Sequence, residues 1–339
     1  MTSHVVVTAP DRDWFVRCRR SWDFFARTRQ GLEPHLPSQP LDLERAVRDT
    51  LAVYYFPGMW TWDRGVVAPL VYMELDRALR RQHAHYEERA ALAPHQTRLP
   101  QATLDAALDR DLALGRALLT RYLAWAPEHD FFWPLKVEVD FDVHIPDAER
   151  PGLNLGAPDG RAIHYQGRVD MLMADQEDAR WLLFHRLTED TFTDVELLRL
   201  DEVALGCAWG WENDLLVNIA GVVFNELRLN GDPPFRRTAL ARNRADMASF
   251  GERLSAVSKA MVAPDVDLHA HPTPEHCSAC DFRSPCLALN EGSDPRAILA
   301  SSYRHRPEDD WVEGRLGSAA WSASRGAAPP RFEGGRTQP

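Results

Sequence analysis

The residues best suited to chemistry are three cysteines in HCSACDFRSPCLAL, residues 276–289, spaced C-x2-C-x5-C. A C-x2-C pair lets two thiolates converge on one metal, so Cys277, Cys280 and Cys286 make a metal site that lacks one ligand. Cys18, in VRCRRSW, offers that ligand from the far end of the chain. His276 offers it locally, as a Cys3His zinc knuckle. Cys207, in the apolar run LGCAWGW, reads instead as a small buried hydrophobe. Four thiolates hold a [4Fe–4S] cluster or a tetrahedral zinc ion equally well on spacing alone. A ligand at residue 18 would clasp the two ends of the fold.

The elements that must position these thiols follow from periodicity. Residues 11–30 carry Trp14, Phe15, Cys18, Trp22 and Phe25 at three- to four-residue steps and predict an amphipathic helix. Residues 41–56, 66–90 and 102–126 predict three more helices. The pattern then alternates: 135–145, 164–175 and 179–187 read as strands. Helix is expected at 195–212, a buried strand at 215–227 and a long helix at 238–262. Beyond residue 303 the chain turns rich in Pro, Gly, Arg and Ser, and a disordered tail is expected at 313–339. A helical part at 10–130, a sheet core at 131–235 and a cysteine-bearing end at 236–303 make one α/β domain over 1–312.

Composition narrows the function classes. With 45% hydrophobic and 26% charged residues the chain is globular rather than fibrous or disordered. No run of 18 apolar residues exists, so no membrane span is expected. The opening MTSHVVVTAPDRDWF lacks a basic segment followed by an apolar one, and the five cysteines are too few for a disulfide scaffold, so a cytoplasmic protein is expected. The net charge of −11 weighs against a broadly basic nucleic-acid surface while leaving room for a local groove. Arg17, Arg19, Arg20, Arg27 and Arg29 are candidates for phosphate or partner contacts, or form a solvated helix face. No P-loop, dinucleotide-binding glycine motif or nucleophile elbow is present.

CRRSWDFFARTRQGLEP near the start, together with C-x2-C-x5-C near the end, resembles the iron–sulfur branch of the PD-(D/E)XK nucleases. That branch includes RecB-like nuclease domains, AddB-type helicase–nuclease subunits and CRISPR-adaptation exonucleases. The resemblance runs over about residues 10–305, with Arg19 where the branch usually has Pro. It implies a restriction-endonuclease-like core, a mixed β-sheet flanked by helices. It also implies a [4Fe–4S] cluster on Cys18, Cys277, Cys280 and Cys286, and phosphodiester hydrolysis assisted by Mg²⁺ or Mn²⁺. QGRVDMLM is similar to the branch's metal-binding strand, so Asp170 maps onto its aspartate; Glu138, in KVEVDFDVHI, matches an acidic position on the strand before. Gly167 would allow close approach of backbone or substrate.

Other motifs depart from the pattern. In WLLFHRLTED, Phe184 stands where the second carboxylate belongs and Arg186 where the lysine belongs. Phe ligates no cation, and Arg keeps a positive charge without copying Lys in detail. Glu189 and Asp190 are candidates for a relocated carboxylate. In LERAVRDTLAVYY, Arg48 takes the place of a His and Glu44 that of a Gly; Glu202 and Gly206 stand in the later Q-x-x-x-Y positions. A retained scaffold with altered chemistry implies a degenerate site at Asp170, Glu138 and Arg186. The expected role is DNA binding or a place in a DNA-processing complex. An active Mg/Mn-dependent DNA exonuclease or a zinc-containing interaction protein are the alternatives.

Overall fold

The computed structural model describes residues 4–94 and 96–306, so the expected tail at 313–339 lies outside the described residues. The chain opens with a strand the periodicity does not announce, β1 (His4–Thr8), too short for alternation to stand out. Thr8 then caps α1 (Ala9–Arg17) in a capping box with Asp11. The helix expected over 11–30 is in fact broken. Cys18 is extended, at φ −161° and ψ 107°, and separates α1 from α2 (Arg19–Phe25). The break turns the thiol out of the helix line, toward the C-terminal segment.

After β2 (Leu32–Pro34), three helices form one layer: α3 (Leu43–Tyr54), α4 (Arg64–Leu92) and α5 (Gln101–His129). Asp42 caps α3 through Arg45 N–H, and Ala46, Val47, Leu51 and Tyr54 bury its inner face. The sheet follows with β3 (Trp133–His144), β4 (Ala162–Ala174) and β5 (Arg180–Thr188), then α6 (Val195–Arg199), α7 (Glu202–Leu215) and β6 (Ile219–Arg228). The expected helix over 195–212 is thus two helices, divided where Asp201 caps α7. Residues 238–241 belong to a strand, β7 (Phe235–Ala241), because they pair with β6; α8 (Arg244–Met261) begins only at its Asn243 cap. The chain ends in α9 (Pro274–Ser278), α10 (Arg283–Asn290), α11 (Arg296–Ser302) and β8 (Tyr303–His305).

The six-stranded sheet is mixed. β4 pairs antiparallel with β3 along one edge. Its other edge is shared: β1 runs parallel along residues 162–166, and β5 runs antiparallel along 171–174. β6 adds parallel to β5, and β7 antiparallel to β6. Helices α3–α5 cover one face through Met171, Met173, Leu183 and Val223; α1, α2, α7 and α8 cover the other through Ile163, Tyr165, Leu182 and Phe224. This is an α/β fold with a central mixed sheet between helical layers, as the sequence predicts. β8 returns to pair with β2, which joins the two ends of the unit Met1–His305.

Candidate functional site

Two sites emerge. The first lies where β4 and β5 part. Their ladder runs from Ala174/Arg180 to Met171/Leu183 and stops there, while β1 leaves the same edge of β4 after Gln166. Asp170 sits in the gap, and its Oδ2 accepts the His185 N–H at 2.7 Å. Phe184 is the next residue of β5 past the last paired position, packed partly into the core. On the other side, the pairing of Val137 with Met171 and of Val139 with Val169 sets Glu138 opposite Asp170. Glu138 is left-handed at φ 48°, a conformation that costs a non-glycine residue about 1 kcal/mol and aims the side chain out of the regular pleat.

Helix α3 supplies the cation facing this gap. Glu44 and Arg48 lie one turn apart on the same face. Burial opposes the charge on Arg48, but Asp170 first and Glu44 second outweigh it and keep it protonated. Burial raises the pKa of Asp170, against lowering by Arg48, the His185 N–H, Arg168 and Arg186. Arg186 itself is bound by Asp201 and lies over the Phe224 ring at 4.5 Å. Farther out, Arg81 reaches both Asp49 and Glu74 at 3.7 Å. Burial pushes Asp49 up to about 6, and burial with the nearby Asp49 and Asp170 pushes Glu138 up to about 7, against Arg168. The carboxylates Asp49, Glu74, Glu138 and Asp170 are therefore interleaved with arginines. Among the described residues, no three of these carboxylates bring oxygens within 4.8 Å of one another.

Behind the gap lies a buried polar network that the sequence reading misses. The His185 ring meets Asn225 Nδ2 at 2.9 Å, and Asn225 Nδ2 also donates to Tyr122 OH at 2.9 Å. Tyr122 and Tyr55 hydroxyls share a 2.6 Å hydrogen bond, and Arg237 joins Tyr55, Asn225 and Asp130. Burial, with Arg237 and Arg48 nearby, pushes His185 down to about 3, so the ring is neutral. The one signal in the sequence is polar NE inside the apolar run GVVFNEL, residues 221–227.

Several expected site residues lie elsewhere. Glu189 and Asp190 are exposed at the outer end of β5: Glu189 O accepts Asn230 N–H, and the Asp190 carboxylate accepts Asn230 Nδ2. They neither enter the gap nor open a helix, since α6 is capped by Asp194. Gly167 does admit a close neighbour, but it is Phe141, whose ring would lie 2.4 Å from an added Cβ. Gly206 is likewise closed by the Tyr165 hydroxyl at 2.4 Å. Glu202 pairs with Arg12 and Arg253.

The second site is the cysteine clasp. At the α1–α2 break Cys18 Sγ accepts the His271 N–H at 3.5 Å, and Arg20 donates to Cys286 Sγ at 3.7 Å. Burial raises Cys18, but donors from Ser21, His271 and Arg20 outweigh it and leave the thiol below its usual range. Cys280 is pushed up to about 11 by burial and by its neighbours Cys18 and Cys286. Cys277 sits one turn before Cys280, whose N–H reaches Cys277 O at 3.5 Å. Trp14, Phe24, Phe282 and Tyr303 wall the site. His276 packs edge-on against Trp14 at 5.9 Å with its Nε2 buried and unpartnered. The structure thus brings Cys18 near Cys280 and Cys286. Cys207 stays apart, buried in the main core with its Sγ 3.6 Å from Arg168 O.

The donors around Cys18 favour its thiolate, the form a metal takes, whereas burial holds Cys280 toward the thiol. Among the described residues, no three of the four sulfurs lie within 4.8 Å of one another, whereas 2.3 Å Zn–S bonds hold sulfurs about 3.8 Å apart. The neighbouring arginines are mostly engaged: Arg17 with Asp13, Arg29 with Asp23, and Arg19 over the Phe15 ring. No helix among the described residues is long and apolar enough to cross a membrane.

No family model matches this chain, and no curated protein matches it. Among solved structures, that of SSO0001 is similar over 73% of this chain and 84% of that one, at 11% identity and a TM-score of 0.32. A superposition that loose carries no argument.

Proposed function

We propose that this chain is a PD-(D/E)XK-type nuclease-fold protein whose hydrolytic centre is silent, and that it serves in DNA binding or DNA processing, on DNA or on a protein partner. In this reading a [4Fe–4S] cluster held by Cys18, Cys277, Cys280 and Cys286 fastens the two ends of the fold. The observation that carries the reading is the charge beside Asp170. Metal-assisted phosphodiester hydrolysis needs carboxylates converging on a divalent cation, which orients water and neutralises developing charge. Here the cation facing Asp170 is the Arg48 guanidinium, and Phe184 stands in β5 where the resembled motif has its second carboxylate. A guanidinium carries one charge, generates no hydroxide and stays protonated. Each 1.4 kcal/mol of lost stabilisation costs tenfold in rate, so the centre falls silent without any change of scaffold.

One observation favours the alternative of a working Mg/Mn hydrolase. Glu138 is pushed up to about 7 by burial and by Asp49 and Asp170, a crowding that a bound cation relieves. A digestion assay decides. With Mg²⁺ or Mn²⁺ on single- and double-stranded DNA, the protein is expected to cut no faster than its Asp170→Ala variant. Metal-dependent cutting that disappears in Asp170→Ala overturns the silent-centre reading. DNA retention on the same substrates, measured across a salt series, then separates direct DNA binding from action through a partner.

A further inference from the structure

The outer face of the sheet at the start of β4 gathers imidazoles from three adjacent strands. His4 on β1 stacks on His164 of β4 with ring centres 4.2 Å apart and planes 21° from parallel. His144 on β3, paired in register with His164, brings its ring centre to 4.0 Å from that of His164. Asp142 on β3 lies 2.6 Å from His164 Nδ1 through Oδ1 and accepts Gln166 Nε2 at 2.9 Å through Oδ2. The ligand atoms of His4, Asp142 and His164 all lie within 4.8 Å of one another, the one such trio among the described residues. Six residues along β4 separate His164 from Asp170, roughly 20 Å at the rise of a strand, so this cluster is distinct from the gap.

Alternation explains how the cluster forms. Val5, Val7, Phe141, Val143, Ile163 and Tyr165 turn into the core, and their strand neighbours His4, Asp142, His144 and His164 are left together on the opposite face. Neutral imidazoles beside a carboxylate are the donor set of a borderline transition metal, with bonds of about 2.0–2.2 Å. Such bonds place donor atoms roughly 3.3 Å apart, a gap that side-chain rotation from the present spacing closes. Mg²⁺ and Ca²⁺ want six or more oxygens and find one carboxylate here.

We propose that His4, His164 and Asp142 bind a divalent transition-metal cation, Zn²⁺ foremost, with His144 positioned to become a further ligand. The site pins β1, an edge strand held by β4 alone, and β1 leads directly into the helix that ends at Cys18. Calorimetric titration of the purified protein with Zn²⁺, with Co²⁺ as a spectroscopic stand-in, tests this. One equivalent should bind beyond any metal at the cysteines, raise the melting temperature, and give a Co²⁺ spectrum without thiolate charge transfer. Affinity should fall at least tenfold in His164→Ala and in His4→Ala, and stay unchanged in Cys18→Ser. Should His164→Ala fail to fold, His4→Ala at the end of the edge strand and Asp142→Asn carry the same comparison. Absence of binding, equal binding by His4→Ala and Asp142→Asn, or binding abolished by Cys18→Ser each overturns the proposal.

Discussion

Arg48 on α3 and Asp170 on β4 confront each other across the mouth of a strand fork, each the other's principal opposite charge. Removing the arginine leaves a carboxylate in a place that disfavours charge. Arg48→Met is therefore expected to cost about 2–4 kcal/mol of stability at neutral pH. Asp170→Asn in the Arg48→Met background should restore part of that, because no unpaired charge remains. Urea unfolding of both single variants and the double variant measures the coupling. Additive effects would show that the two charges do not act as a pair. The same variants probe the proposed silent centre: Mn²⁺ should stabilise Arg48→Met more than the parent, since the competing cation is gone.

Glu138 gives a pH signature. Its carboxyl is pushed up to about 7 by burial and by Asp49 and Asp170, from 4.5 when unfolded. Between those values the unfolded chain has lost the proton and the folded chain keeps it. Its contribution is therefore fully present below about 4.5 and is lost as pH rises through about 7. Glu138→Gln keeps the neutral form at every pH. It should match the parent near pH 4 and exceed it by about 1–3 kcal/mol above pH 7, the plateau set by the size of the shift. A constant difference across that range in chemical unfolding would sink the idea. Glu138→Gly should add a smaller, pH-independent gain, because glycine relieves the left-handed backbone.

His185 acts in the opposite direction. Its ring is held neutral, pushed down to about 3 by burial and by Arg237 and Arg48. The unfolded ring binds its proton near 6.5, so the stabilisation is present above about 6.5 and is lost as pH falls toward 3. His185→Leu leaves Asn225 Nδ2 with Tyr122 alone, a loss of about 1–3 kcal/mol at pH 8. Below pH 6 the penalty should shrink, because the variant has no ring to protonate. Melting temperatures of parent and variant that run parallel from pH 8 to pH 4 would remove His185 from the acid response.

The sequence made some of this legible and hid the rest for identifiable reasons. The sheet strands at 133–144, 162–174 and 180–188 were readable because one side of each is apolar. β1 was too short to show a period, and β7, FRRTALA, shows little alternation of its own and owes its form to pairing with β6. Phe184 was visible as a departure from the carboxylate motif of the family the sequence resembles. That Arg48 fills the charge beside Asp170 was not, because it depends on how α3 lies across the fork. Glu138's left-handed backbone leaves no mark in the composition around it. The meeting of Cys18 with Cys280 and Cys286 was legible as a spacing at two chain ends. The break that aims Cys18 was not, since the hydrophobic period runs straight through it.

Cys18 and Cys207 make the last comparison, because both are buried thiols with different neighbours. Cys18 lies at the helix break among Cys280, Cys286 and the donors of Arg20 and His271. Cys207 lies in the core, where burial raises its pKa and its Sγ meets Arg168 O. On the proposed cluster, Cys18→Ser should strip most of the iron and sulfide from anaerobically purified protein and loosen the junction between the two ends. The β2–β8 pairing and the ion pairs of Glu33 with Arg89 and Arg304 persist there, so local hydrogen exchange should rise before global unfolding does. Cys207→Ala should cost about 1 kcal/mol of packing and leave the metal content intact. If Cys18→Ser retains its metal while His276→Ala loses it, the centre is a local knuckle and the ends are joined by protein contacts alone. Stoichiometric zinc in a colourless parent points the same way on the cofactor, since a cluster colours the protein and zinc does not.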